Sequence, residues 1–313
     1  MIIVFGSINM DVNMEVPAFP KPGETILSPD YEMGPGGKGA NQALAAARSG
    51  VKTAIVGQVG DDGMGNRILN NLRRNEVMTS GVAINEKLST GMAFVLRDMN
   101  GENQIIVASG ANADVKAEQV PDEILRPGNI LLLQMEVPRA ETFAVLQRAK
   151  SRGVTTILNV APAFHVTQNV LENLDYLIIN EHEARTIVEP LGVPADQDLM
   201  IVAKALSMQG KLNCIITLGG EGVLAASVDG GAWRVKSMKL DQIVDTTGAG
   251  DCFSGTFASA IHEKFALPEA LRRASVAAGL SCTKAGAQDS YPYISEIDDA
   301  MKNFPAAEML CKI

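Results

Sequence analysis

Apolar residues in this chain follow two rhythms. Short continuous runs at 2–5, 54–59, 130–133, 156–160, 175–180 and 214–218 read as strands buried on both faces. Between them the spacing lengthens to three and four. Ile68 and Leu72 mark a helix over about 64–74, and helices are also predicted near 141–151, 195–209, 250–264, 267–284 and 295–303. Residues 223–226 and 233–235, separated by Gly230-Gly231, read as a hairpin. Strands alternating with helices predict an α/β fold, doubly wound, with a mainly parallel central sheet and helices on both faces. No repeat, low-complexity stretch or linker interrupts the pattern, so a single domain is expected over 1–313.

Two segments break the rhythm. Residues 12–33 carry Pro17, Pro20, Pro22 and Gly23 and then alternate loosely, as an extended excursion would. Residues 91–97 and 104–107 are β-forming runs flanking Asn100-Gly101, a strong hairpin signal. The two segments either pair into a small sheet of their own or extend the edges of the main one.

Two glycine-rich stretches open helices. Gly34-Pro35-Gly36-Gly37-Lys38-Gly39 precedes an Ala-rich helix ending near Ser49. Gly34, Gly36 and Gly39 have the dinucleotide-binding spacing, but Tyr31-Glu32-Met33 is no buried strand, so that context fails. The P-loop pattern fails too, because Lys38 is followed by Gly39. What remains is a helix N-terminus reached by bare backbone, with Lys38 and Asn41 as polar donors. It suits an anion or a polyhydroxylated ligand.

The second stretch is Asp245-Thr246-Thr247-Gly248-Ala249-Gly250-Asp251. Ile243 and Val244 read as a strand end before it, and Phe253, Phe257 and Ile261 mark the helix after it. Free N–H groups at Gly248, Ala249 and Gly250 make a cradle for a phosphate, and Asp251 sets a carboxylate at its mouth. A base beside an anion cradle points to phosphoryl transfer to a hydroxyl. The plainer alternative is a helix start with an Asp favoured by the dipole.

Polar residues recur where strands are predicted to end: Asn9, Asp11, Glu136, Asn159, Asn180 and Asp245. In a parallel sheet such ends share one edge, so these side chains are expected to face a common cleft. Net charge is −9 without a basic run, which argues against nucleic acid as a partner. No apolar run is long enough to span a bilayer, and the N-terminus reads as a first strand rather than a signal peptide. Cys214, Cys252, Cys282 and Cys311 have no metal-binding spacing and are expected as buried thiols in a reducing cytoplasm.

Gly36-Gly37-Lys38-Gly39-Ala40-Asn41-Gln42, Asn180-Glu181-His182-Glu183, Thr217-Leu218-Gly219 with Gly222, and 245–251 resemble, in order, the ribokinase-like (PfkB) sugar kinases. The resemblance covers nearly the whole chain. It implies ATP-dependent phosphorylation of the primary hydroxyl of a pentose, D-ribose to D-ribose 5-phosphate, with a nucleoside kinase, another sugar kinase of the same fold or a catalytically silent sugar-binding regulator as alternatives. Asp251 would be the base and Gly248, Ala249 and Gly250 the anion hole. Asn9, Asp11, Gly37, Lys38, Asn41 and Glu136 would hold sugar hydroxyls. Asn180, Thr217, Gly219 and Gly222 would face ATP, with Glu183 on Mg²⁺ through water. Asp245, Thr247, Ser281, Lys284, Gly286 and Ser290 would enclose an activating K⁺. The β segments at about 12–33 and 89–108 would form a lid that also makes a homodimer contact. Lys284 and Val160 depart from the family, which commonly has Arg and Pro there.

Overall fold

The computed structural model describes residues 1–312 except 100, 101, 189–191, 193 and 195, and for 311 and 312 the backbone alone. In chain order the strands are β1 (Ile2–Phe5), β2 (Asn9–Glu15), β3 (Tyr31–Gly36), β4 (Thr53–Gly60), β5 (Met78–Asn85), β6 (Gly91–Arg97), β7 (Asn103–Ala108), β8 (Ile130–Leu133), β9 (Thr155–Asn159), β10 (Tyr176–Asn180), β11 (Asn213–Thr217), β12 (Val223–Ala226), β13 (Gly231–Val235) and β14 (Glu308–Lys312). The helices are α1 (Lys38–Arg48), α2 (Gly63–Arg74), α3 (Arg139–Ser151), α4 (Gln168–Leu171), α5 (Glu181–Val188), α6 (Leu199–Gly210), α7 (Ala249–His262), α8 (Leu267–Ser281) and α9 (Ile294–Met301).

Ten strands form one sheet in the order β14-β13-β12-β11-β10-β9-β8-β1-β4-β5. Those from β5 to β11 run parallel, and β12, β13 and β14 close the far edge antiparallel. The strand β1 shows why the runs are continuously apolar. Ile2 and Val4 enter a core with α1, α2, α7 and α8, whereas Ile3 and Phe5 enter a second core with α3, α5 and α6. Each face of the sheet buries its own layer of helices, so alternate residues of one strand must both be apolar.

The chain winds outward from β1 to β4 and β5, then returns to the other flank of β1 with β8 and winds away. The direction therefore reverses between β1 and β8, and the crevice beyond their C-terminal ends is where an open α/β sheet takes a ligand. A separate four-stranded sheet, β3-β2-β6-β7, stands at this crevice. Its first strand follows β1 after only Gly6-Ser7-Ile8. The two rhythm-breaking segments thus pair with each other and not with the main sheet. The predicted turn at Asn100-Gly101 lies outside the described residues.

Some expectations fail locally. Ile243 and Val244 are not in a strand. Both are exposed, in a loop held to the end of α8 by a bond from Val244 N to Cys282 O (2.9 Å). Asn9 and Asp11 lie just beyond β1, at the start of β2 in the separate sheet. The helix expected from 195 begins at Leu199, where the Asp198 carboxylate accepts from Met200 N; Ala195 lies outside the described residues. Cys214 and Cys252 are buried and Cys282 half-buried, while the side chain of Cys311 is outside the described residues.

Candidate active site

The glycine-rich turn before α1 lets that helix reach the β1–β2 connection. Gly37 has φ +88°, and a Cβ there would lie 2.6 Å from the backbone N of Asn9. Only glycine fits both demands. Its neighbour Lys38 starts α1 with its N–H 3.2 Å from Glu136 Oε2. The same oxygen accepts from Ser7 Oγ at 2.6 Å. Glu136 follows β8, so its carboxylate bridges both sides of the crevice.

Opposite stands α7. Its N-cap, Gly248, has φ +73°, and a Cβ there would meet the Tyr291 hydroxyl at 2.4 Å. That hydroxyl donates to Gly248 O at 2.9 Å. Ala249 and Gly250 open the helix; Ala249 N already donates to Thr246 O at 3.2 Å, whereas Gly250 is exposed, with no atom outside its own helix within 4 Å of where a Cβ would stand. Asp251 completes the first turn and is buried. Its Oδ2 accepts from Asn41 Nδ2 (3.0 Å) and its Oδ1 from Gln42 Nε2 (2.9 Å), both on α1.

The side chains near this crevice form an electrostatic cluster. Lys38 is held above the usual lysine range, first by Asp251 and then by Glu136, Glu183 and Asp11, against the cost of burial. Asp11 is pushed up to about 7 by burial, then by Glu136 and Asp251, with Lys38 opposing. Its Oδ1 is buried and has no protein partner. An ammonium among four carboxylates, with a buried oxygen left to accept, is a set of donors and acceptors for a polyol.

The sign for Asp11 follows directly. Its folded pKa lies above the unfolded value of 3.8, so the folded chain keeps this proton between about pH 4 and 7. The resulting stability is full below about pH 4 and lost as pH rises through about 7. Asp11→Asn is therefore expected to raise the Tm of the free protein at about pH 8 relative to wild type and to do so far less at about pH 5. Equal shifts at both pH values would refute this titration.

Other expected site residues are placed as follows. Asn9 is buried and its Oδ1 accepts from Asn112 Nδ2 at 2.7 Å. Asn180 and Glu183 satisfy each other: Asn180 Oδ1 accepts from Glu183 N and Glu183 Oε2 from Asn180 N, both at 2.8 Å. This is the reciprocal geometry of a capping box at the start of α5. Burial raises the Glu183 carboxyl, with Asn180 N, Lys38 and His182 opposing and Asp251 adding to the rise. Thr217 ends β11, and Gly219 and Gly222 lie in the turn to β12.

Asp245 is drawn to the 281–290 segment. Its Oδ2 accepts from Gly286 N (3.0 Å) and its Oδ1 from Thr247 N (3.0 Å) and Thr247 Oγ1 (2.7 Å). From β6, Arg97 adds an ion pair at 3.0 Å. Burial works against this carboxylate, but these donors outweigh it and hold its pKa below the usual range. Ser281 and Ser290 point hydroxyl protons at Ala278 O and Ala287 O, and Lys284 pairs with Glu296.

Sequence reasoning assigned no role to Ser7, Gln42, Asn112, Gln134 or Gln288, although each bonds a residue of this crevice or its support. A signal existed for Gln42. It sits among Ala40, Ala43 and Leu44 on a buried helix, and buried carboxamides need partners.

A buried carboxylate at a glycine-rich helix start, across from an ammonium among carboxylates, is chemically suited to phosphoryl transfer to a hydroxyl. The family model described as pfkB family carbohydrate kinase matches residues 1–294. The chain is 37% identical over 293 residues to the ribokinase of Haemophilus influenzae, covering 93% of this chain and 95% of the relative. Among solved structures it resembles ribokinase from Thermotoga maritima, with TM-score 0.88 and 34% identity over 96% of this chain and 99% of that one. It also resembles Arabidopsis thaliana ribokinase complexed with ribose and ATP, with TM-score 0.86 and 32% identity over 96% and 98%. The chain belongs to the pfkB family of carbohydrate kinases. It is an ATP-dependent sugar kinase.

Proposed function

We propose that the protein transfers the γ-phosphoryl group of ATP to the primary hydroxyl of D-ribose, giving D-ribose 5-phosphate and ADP. The observation that carries this reading is the buried Asp251 carboxylate on the first turn of α7, next to the glycine-rich start of that helix. Asp251 takes the hydroxyl proton as the oxygen attacks phosphorus. The bond to the β-phosphate oxygen breaks, and the amides of Gly248, Ala249 and Gly250 hold the charge on the phosphoryl oxygens. Asn9, Asp11, Gly37, Lys38, Asn41 and Glu136 hold the sugar. Asn180, Thr217, Gly219 and Gly222 face the nucleotide. The relatives named ribokinase, one of them complexed with ribose and ATP, support the substrate pair.

Two cations fit the donors present. Glu183 offers a buried carboxylate oxygen of the hard type that Mg²⁺ takes, in this case through water. Mg²⁺ would neutralise phosphate charge there. Asp245, Thr247, Ser281, Lys284, Gly286 and Ser290 offer carboxylate, hydroxyl and carbonyl oxygens, suited to K⁺. The Lys284 ammonium is paired with Glu296, so that residue would contribute its carbonyl. K⁺ would steady the loop leading to the anion hole. The test is product identification by phosphorus NMR with ribose, ATP, Mg²⁺ and K⁺. Ribose 5-phosphate is expected, formed more slowly when Na⁺ replaces K⁺ at equal ionic strength. Absence of the product overturns the reading, and indifference to the ion removes K⁺ from it.

Residues 1–313 form one domain with its lid in this proposal, working in the cytoplasm, with no nucleic-acid or membrane partner. Among the described residues no helix is long and apolar enough to cross a membrane. The lid edge β7 exposes Ile105, Ile106 and Val107. An apolar, unpaired edge is a surface for another chain, and a second copy is the partner we assign. A dimer is expected by light scattering at micromolar concentration; a monomer would refute the lid contact.

One observation favours a second reading. A cavity of about 500 Å³ adjoins Glu136, lined also by Val107, Met135, Val137, Arg139 and Pro162. Its apolar walls could take the flat base of a nucleoside, which makes a nucleoside kinase the competing assignment.

A further inference from the structure

Asp251 lies where an acidic side chain ordinarily turns toward the free amides of its own helix. Here both of its oxygens accept instead from carboxamides of α1, and those carboxamides belong to a longer buried chain. On one side, Gln42 Nε2 donates to Asp251 Oδ1 and also to Asn159 Oδ1 (3.0 Å), while Gln42 Oε1 accepts from Gln134 Nε2 (2.7 Å). On the other, Asn41 Nδ2 donates to Asp251 Oδ2, Asn41 Oδ1 accepts from Gln288 Nε2 (3.0 Å), and Gln288 Oε1 accepts from Asn71 Nδ2 (2.7 Å). Gln42 and Gln134 are 0% exposed and Gln288 is 2% exposed, so water does not substitute for these bonds.

The polarity of this chain is not free. Asn159 Nδ2 donates to the carbonyl of Ile178 at 3.1 Å, and a carbonyl can only accept. Asn159 must therefore turn its oxygen to Gln42, and Gln42 must turn its NH₂ to both Asn159 and Asp251. Room for Gln134 exists because residue 6 is glycine, where a Cβ would lie 1.9 Å from Gln134 Oε1. Every amide is thus turned so that N–H groups converge on Asp251. The arrangement accepts a carboxylate and offers no acceptor to a carboxylic acid.

We propose that Gln42 and Gln288 are positioning residues for phosphoryl transfer, holding the base oriented and keeping it off the anion-hole amides of its own helix. The proposal rests on Asp251 being the base. Without the two arms the carboxylate could rotate onto the N–H groups at 248–250, which would remove base and anion hole together. Gln42 acts through the base it bonds and Gln288 through Asn41, so the loss should appear in turnover ahead of ligand affinity.

The test is a double-mutant cycle on the full-length protein with ribose and MgATP. Gln42→Met keeps length and removes the amide. It is expected to lower kcat by roughly 10- to 100-fold, the scale of a misoriented group, with calorimetric affinity for ribose unchanged within about threefold. On an Asp251→Ala background the same change should cost less than about twofold, because nothing remains to orient. Gln288→Met runs through the same cycle by the Asn41 arm, with kcat as its only readout because Asn41 also holds the sugar, and serves if Gln42→Met does not fold. Equal fold-losses in both backgrounds, or a loss in ribose affinity matching the loss in kcat, would overturn the positioning role while leaving the base in place. If Asp251→Ala itself retains kcat within about tenfold of wild type, the base assignment fails and this proposal fails with it.

Discussion

Asp251→Ala is expected to lower kcat by about 10²–10⁴-fold, the range that general-base catalysis supplies, with ribose still bound. Alanine is the informative change. Asparagine looks closer in shape, but both carboxylate oxygens accept from amides of Asn41 and Gln42. A carboxamide at 251 would set its own NH₂ against one of those donors. A buried donor left unpaired costs about 1–3 kcal/mol, so that variant would mix lost catalysis with lost stability. In Asp251→Ala Gln42 Nε2 keeps Asn159 Oδ1 as an acceptor, Asn41 Nδ2 alone loses its acceptor, and no two donors are forced together. Single-turnover phosphoryl transfer and equilibrium ribose binding, measured on the same preparation, separate the two effects. Turnover near the wild-type value would remove Asp251 from the chemistry.

The second large effect is expected at Gly248→Ala. The N-cap has φ +73°, which costs an L-residue about 1–2 kcal/mol, and the new Cβ would lie 2.4 Å from the Tyr291 hydroxyl and 2.9 Å from Ala287 Cβ. Either Tyr291 or the helix start must move. Movement of the helix start displaces the amides aimed at the phosphoryl group, and one lost oxyanion donor costs about 10²–10³ in kcat. Tyr291→Phe alone is expected to be mild, the loss of one bond worth about 0.5–1.5 kcal/mol of stability. Combining the two should recover part of the Gly248→Ala loss, because the hydroxyl that the Cβ strikes is gone. The comparison is kcat for the three variants. A double variant worse than Gly248→Ala would show that Tyr291 is not the obstruction.

Much of this architecture is legible in the chain because the strands flanking the crevice are buried on both faces. Ile2–Phe5 and Ile130–Leu133 are wholly apolar, and the glycines at 34–39 and 248–250 mark where backbone must come close. Strand β5 was not legible. It is an edge strand of mixed polarity with an irregular register against β4, so no clean alternation survives. Nor was β14, a short strand that only closes the antiparallel edge. Ile243 and Val244 are β-branched and apolar, a pattern that predicts burial, yet both are exposed beside the end of α8.

The site divides in the same way. Lys38, Glu136 and Asp251 stand out as charges beside glycine-rich backbone, and a charge in that setting invites a chemical reading. Asn180 and Glu183 are assigned to the nucleotide side only through the family resemblance, and their local geometry is that of a helix cap. The carboxamide chain was hidden for a different reason. Its links join residues 92 to 247 positions apart, and a glutamine in an Ala-rich helix carries no spacing that names its partner. Only the three-dimensional convergence of N–H groups on Asp251 reveals it.

The central claim is tested most directly by kcat/KM for ribose, inosine and adenosine, measured with ATP under identical Mg²⁺ and K⁺. In the proposed site Asp11, Lys38 and Glu136 pair with sugar hydroxyls, and a site of that kind discriminates strongly against a ligand that leaves them unpaired. The account predicts ribose at least about tenfold above either nucleoside. A nucleoside that outperforms ribose would contradict it and assign the cavity beside Glu136 to a base.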